Sequence, residues 1–167
     1  MLPDGYIIVY LISCMIRQNY CKSRKVYVSM PNVENLRASS GASINSKNKL
    51  LVRSIDAKAS SGSGINLTVE TEKTVCETSS GSEIEIDGKT LNLIAESSSG
   101  SDIDAENLLS NEVTAKSSSG SEIDAKDLAA NEITAQSTSG SNTTVNPIVL
   151  LNAKASSGSS IDYFKEP

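Results

Sequence analysis

The sequence contains no histidine and no tryptophan, one phenylalanine, three cysteines and four prolines in 167 residues. Without histidine there can be no Ser-His-Asp triad and no imidazole metal ligand. Aromatic residues make up 4% of the chain, so there is no ring platform on which sugars or bases would stack. Fifteen basic residues stand against twenty acidic ones, for a net charge of −5. With no basic stripe, nucleic acid is not an expected partner. The longest apolar run, residues 5–16, covers 12 positions, short of the roughly 20 that a membrane-spanning helix needs. Length and a 38% apolar content are those of one domain.

What the chain does have is a repeat. Residues 91–128 state one unit twice: an alternating segment ending in Ala-x-Ser-Ser-Ser-Gly-Ser, then acid-Ile-Asp-Ala, a Leu and an Asn-containing corner. The register glycines are Gly41, Gly62, Gly81, Gly100, Gly120, Gly140 and Gly158, separated by 21, 19, 19, 20, 20 and 18 residues. A period near 20 sustained this long indicates stacked coils. Three residues past the glycine stand Ile44, Ile65, Ile84, Ile103, Ile123 and Ile161, with Thr143 the exception. Five before it stand Leu36, Ala57, Cys76, Ala95, Ala115, Ala135 and Ala153. Two residues earlier come Ile55, Leu93, Val113, Ile133 and Leu151. These positions alternate with polar ones, a period of 2 that indicates strands with one buried face.

The expected fold is therefore all-β: a single-stranded parallel β-helix, or β-solenoid, of about 20 residues per coil. Each unit should be two strands joined by the Ser-Gly corner, with a second corner near Asn111 and Asn131 in left-handed geometry. Coils stacked at about 4.8 Å would close a narrow core some 30 Å long. Cys76 falls in an inward column and reads as a small core residue. Lys73–Thr78 and Asn142–Leu151 depart most from the pattern, the second through Thr143, Thr144 and Pro147.

Residues 1–25 lie outside the repeat, and residues 26–167 form the expected solenoid domain. Several readings of the first segment stand side by side. Its apolar run resembles an export signal, although Asp4 sits where positive charge is wanted and Arg17, Lys22, Arg24 and Lys25 follow the run. Leu11-Ile12-Ser13-Cys14 resembles a lipobox, which would make Cys14 an acylated membrane tether. Tyr6–Tyr10 and Lys25–Ser29 also read as strands capping the first coil. The segment could equally arise from the position of the start codon. Cys14 and Cys21 could pair, but spacing alone does not demand it.

The chain resembles the bacterial auto-transporter adhesin head GIN domain family, common in Bacteroidetes. The likeness rests on Gly62-Ser63-Gly64-Ile65-Asn66, on Ser-Ser-Gly-Ser-x-Ile-Asp-Ala at 98–105 and 118–125, and on Ser156–Tyr163. It covers roughly residues 26–167. Family members carry a longer N-terminal β portion, and their terminal Tyr-x-Gly-x-Pro is here Tyr163-Phe164-Lys165-Glu166-Pro167. The resemblance implies a pectin-lyase-like β-helix, export to the periplasm, outer-membrane surface or medium, no catalytic residues and no cofactor. Its partner would be a surface glycan or protein, with membrane contact only through a lipid anchor.

The most chemical-looking feature is a double ladder of carboxylates. Glu83, Asp102 and Glu122 lie two residues past the glycine; Glu85, Asp104, Asp124 and Asp162 lie four past it. Both should face outward and repel along the stack. Solvent and interleaved Lys116, Lys126 and Lys154 would relieve the repulsion. A sharper reading seats calcium between Asp102, Asp104, Glu122 and Asp124. A carbohydrate-active enzyme would need one special carboxylate pair in a cleft, which a periodic ladder does not single out. The Ser-rich corners, Ser97–Ser99, Ser117–Ser119 and Ser137–Ser139, read as turns whose hydroxyls satisfy backbone groups. Beside an adhesion or envelope module, the remaining expectation is a structural subunit that self-associates through its end coils.

Overall fold

The computed structural model describes residues 6–14, 21–30 and 32–164. It is an all-β solenoid of about seven turns, with about 19 residues per turn. An N-terminal hairpin, β1 (Tyr6–Cys14) and β2 (Cys21–Ser29), precedes the coils. The first coil holds β3 (Asn35–Ser39), β4 (Ser43–Ser46) and β5 (Leu50–Leu51). Then come β6 (Ser54–Ser60), β7 (Gly64–Ser79), β8 (Glu83–Ser98), β9 (Asp102–Asp104), β10 (Leu108–Leu109) and β11 (Glu112–Ser118). The last coils are β12 (Glu122–Thr138), β13 (Asn142–Ser156) and β14 (Ser160–Tyr163). The pairings between coils are parallel and, outside the middle of β12–β13, join equivalent positions, such as Val113 beside Leu93 and Ile133.

The core follows from the apolar columns. Ile44, Ile65, Ile84, Ile103 and Ile123 stack as a buried ladder opposite the column from Leu36 to Ala135. Each buried Ile contributes about 2 kcal/mol. In the seventh coil the same columns are less covered: Leu151 and Ile161 are half-buried and Ala153 is exposed. Lys73–Thr78 proves regular. It pairs in register with Asn92–Ser97, and Cys76 lies fully buried in the alanine column. Burial pushes the Cys76 thiol up to about 12. The second departure is real, for the β12–β13 register shifts on both sides of Ala129 and Ala130, where Pro147 faces Ala130.

Each Ser-Gly corner places two successive residues in left-handed backbone. The serines have φ of 55° to 58° and the glycines 65° to 73°. The corner glycines keep the stack paired: Gly62 N–H donates to the Ser80 carbonyl at 3.1 Å, and the other coils repeat the bond. The serine that follows the glycine turns inward. Ser121 Oγ accepts the Ser118 N–H at 3.0 Å and donates to the Ser97 carbonyl of the previous coil at 2.8 Å. Ser63 and Ser159 do the same. Behind them lies a buried hydroxyl cluster in which Ser117, Ser137 and Thr143 meet at 2.7 to 2.8 Å. This explains the one break in the isoleucine column, because Thr143 supplies a hydroxyl where the neighbouring column already carries two.

Two expectations need correcting. Asn111 and Asn131 are not left-handed: Asn111 lies in a bend just before β11 and Asn131 within β12, and the Asn131 side-chain amide donates to Asn111 Oδ1 at 2.7 Å, one coil to the next. The second bend is gentle enough for the strand to run through it, so β7 and β8 are each continuous over 16 residues. Among the described residues, the glycine outside the corners that needs left-handed backbone is Gly88, with φ of 109°. A Cβ there would lie 2.1 Å from the Val69 carbonyl oxygen of the preceding coil.

The hairpin is antiparallel, and β1 also pairs antiparallel with β4, Ile7 opposite Ser46 through Tyr10 opposite Ser43. Tyr6–Tyr10 is thus strand laid on the first coil, and Lys25–Ser29 is strand laid on the outer edge of β1. β2 runs across residue 25 to Ser29, so the hairpin spans both sides of the boundary drawn from the repeat.

Gly88→Ala should destabilise the protein by about 3 kcal/mol or more, because neither strand can retreat without breaking pairs. Ser121→Ala should cost about 1–3 kcal/mol by removing the partner of a half-buried N–H and of a buried carbonyl. Denaturant unfolding of each variant measures both. Cys76 should resist alkylation in the native protein and react on unfolding, as peptide mapping after maleimide labelling would show.

Candidate functional site

The outward faces of the two strands flanking each corner differ in chemistry. On the departure side the carboxylates line up as the repeat requires: Glu83 beside Asp102 beside Glu122, and Glu85 beside Asp104 beside Asp124. The first row is exposed and the second half-buried. Amides end the rows. The Asn66 side-chain amide donates to Glu85 Oε2, and Asn142 Nδ2 donates to Glu122 Oε1 at 3.3 Å. Asp104 and Asp124 each accept a backbone N–H two residues on, from Glu106 at 3.0 Å and Lys126 at 3.1 Å.

Of the three lysines expected to relieve this ladder, one does. Lys126 Nζ lies 3.5 Å from Asp124 Oδ2 and donates to Glu106. The Glu106 hydrogen bond and the Asp124 charge hold the Lys126 ammonium above its ordinary range. Lys116 and Lys154 sit before the corner, on the other strand, where they cannot reach the acids. Among the described residues no group of three or more His, Cys, Asp or Glu side chains is arranged to hold a metal ion. Asp102, Asp104, Glu122 and Asp124 are brought together as two side-by-side pairs. Cys14, the lipidation candidate, ends β1 opposite Cys21.

On the approach side, side chains four residues before the glycine are Arg37, Lys58, Glu77, Glu96, Lys116 and Gln136. Neighbouring coils neutralise one another there. Lys58 Nζ donates to Glu77 Oε1 at 2.7 Å and lies 3.8 Å from Asp56, whose other oxygen is buried without a partner. Lys116 Nζ donates to Glu96 Oε1 at 2.8 Å. The bond to Glu77 raises the Lys58 pKa above its ordinary value. Beside these pairs runs a row of small hydroxyl residues, Ser39, Ser60, Ser79, Ser98, Ser118 and Thr138. Together they line an open groove of about 720 Å³ crossing six coils. Serine and charged residues at a 20-residue period are visible in the sequence. What was missed is that the mixed column falls beside the small one, and the parity of strand positions could have revealed it.

Glu85 is the strained member of the acidic face. Partial burial, then the charges of Asp87 and Asp104, raise its pKa above the ordinary 4.5, against the Asn66 hydrogen bond. A raised folded-state pKa means its contribution to stability is complete below the unfolded value and lost as pH rises through the folded one. Stability should therefore fall as pH climbs from about 4.5 through that range. Glu85→Gln should flatten this fall, measured as melting temperature against pH.

The family model described as "Putative auto-transporter adhesin, head GIN domain" matches residues 12–123 and 110–167. No curated protein and no solved structure matches the chain significantly. The two overlapping matches take in all seven Ser-Gly corners and most of the hairpin, and the chain belongs to this head GIN domain family.

Proposed function

We infer that the protein is a non-catalytic adhesion or envelope-interaction module, exported to the cell surface, whose contact surface is the approach-strand groove. The observation that carries this is the groove itself: six coils long, lined by small hydroxyls and by charged residues of which Lys58 with Glu77, and Lys116 with Glu96, are paired within the protein. Such a surface has donors and acceptors at each coil and little net charge to satisfy. It suits an extended polar partner, a surface glycan or a peptide strand, held by many weak hydrogen bonds. The opposite face is too acidic to meet an anionic surface. A catalytic reading would need one carboxylate pair set apart from the rest, and the described acids repeat from coil to coil.

A second reading, association through the end coils, is favoured by exposed Ile148, Val149 and Leu150 at 47%, 65% and 43%. Among the described residues β3 pairs only with β6, and β14 only with β13, so each keeps an open edge.

Labelled full-length protein should bind intact cells or a surface-glycan array. Ser98→Tyr with Ser118→Tyr, which fill the groove from outward positions, should weaken that binding about tenfold, roughly 1.4 kcal/mol, without moving the melting temperature. Undiminished binding by the double variant would sink the groove assignment. Self-association predicts oligomers whose size grows with concentration in sedimentation velocity and which Val149→Lys abolishes. A single monomer species at every concentration would dispose of it.

A further inference from the structure

The N-terminal hairpin pairs two cysteines in backbone register. Cys76 is a free thiol sealed in the core. The other two mark the ends of adjacent strands, Cys14 closing β1 and Cys21 opening β2. The antiparallel register places Cys14 opposite Cys21. That register runs unbroken along all 9 residues of each strand, from Tyr6 opposite Ser29. Directly opposed residues in an antiparallel pair have Cα atoms about 4.5–5.5 Å apart. A disulfide accepts Cα separations of about 4.4–6.8 Å. Register alone therefore meets the Cα-separation requirement.

We propose that Cys14 and Cys21 form a disulfide that closes the N-terminal hairpin and fixes it on the first coil. β1 is the shared strand: one edge pairs with β2 and the other with β4. Among the described residues β2 has β1 as its one partner strand, so a covalent link between Cys14 and Cys21 holds the outer strand on. The reaction is thiol–disulfide exchange with a small-molecule disulfide donor such as oxidised glutathione. One cysteine, as the thiolate, attacks the donor and releases one donor thiol. The second thiolate attacks the resulting mixed disulfide, forming Sγ–Sγ and releasing the other donor thiol. Two protein thiols are oxidised and one donor disulfide is reduced. The link also excludes acylation at Cys14, because one sulfur cannot carry both bonds. It rests on hairpin register and is independent of the adhesion reading.

Full-length protein is equilibrated with mixed oxidised and reduced glutathione, acid-quenched, blocked with maleimide and digested with trypsin without reductant. Arg17 lies between the two cysteines, so peptides 1–17 and 18–22 remain joined only through a Cys14–Cys21 bond. The joined pair should exceed the maleimide-labelled singles at least tenfold and disappear on reduction. Cys21→Ser should abolish it and leave Cys14 labelled. Hydrogen exchange at Ser43–Ser46 should be several-fold slower in the oxidised than in the reduced protein. Free or glutathionylated cysteines at both positions in the oxidising mixture would overturn the link. Equal exchange rates in the two states would overturn its role in fixing the hairpin.

Discussion

The fold depends on a hydroxyl turned inward at the corner. A chain that reverses direction every ten residues or so strands backbone N–H and C=O groups at each bend, and burying them unpaired costs about 1–3 kcal/mol apiece. At four corners the serine after the glycine, Ser63, Ser82, Ser121 and Ser159, answers two of them at once, one in its own turn and one in the previous coil. It is thereby both a turn former and a rivet between layers. The left-handed serine before it is the cost, about 1–2 kcal/mol of backbone strain per residue. The stacked glycine N–H bonds and the isoleucine ladder offset that cost. The first corner has Ala42 in place of the riveting serine, and it is the corner beside the strand that β1 covers.

Much of this was legible before any coordinates. A period near 20 identifies the architecture, and alternation about the glycine assigns inward and outward positions, because each residue in a strand faces opposite to its neighbour. Cys76, Thr143 and Ile103 could each be placed from the columns alone. What escaped the columns depends on contacts between them. Asn111 does sit at a bend, but not in left-handed backbone, and its side-chain oxygen accepts from Asn131 of the next coil. Lys116 looked like a neighbour of the acids because both are outward, but the corner lies between them. Gly88 is not at a corner, and its only local signal is the Asp87-Gly88 pair, a turn dipeptide; its close approach to Val69 is a property of two coils together. The hairpin register could not be read from a segment outside the repeat.

The two strands flanking the corner do different electrostatic work on one thin scaffold. Along the approach strand both signs share one column and pair across coils, Lys58 with Glu77 and Lys116 with Glu96, while along the departure strand like charges stack and are relieved at the ends by Asn66 and Asn142 and in the middle by Lys126. A column of identical residues multiplies whatever its single member does, favourable or not. Mixing signs within a column therefore stabilises the stack, and keeping one sign charges a whole face. The net charge of −5 is carried unevenly, so a partner approaching the protein meets a different field on each side.

Near-identity of the coils also creates an ambiguity during folding. A strand that docks one coil too early finds the same alternation, the same corner and almost the same hydroxyls, so mispaired stacks lie close in energy to the native one. The irregular positions break that degeneracy. Gly88 is the residue that tolerates the approach of the Val69 carbonyl, Thr143 completes its hydroxyl trio only against Ser117 and Ser137, and Pro147 fits only where the β12–β13 ladder skips. Each acts as an address on one layer. The departures from the repeat, which look like erosion of a perfect pattern, are what tells the chain which turn of the stack it is on.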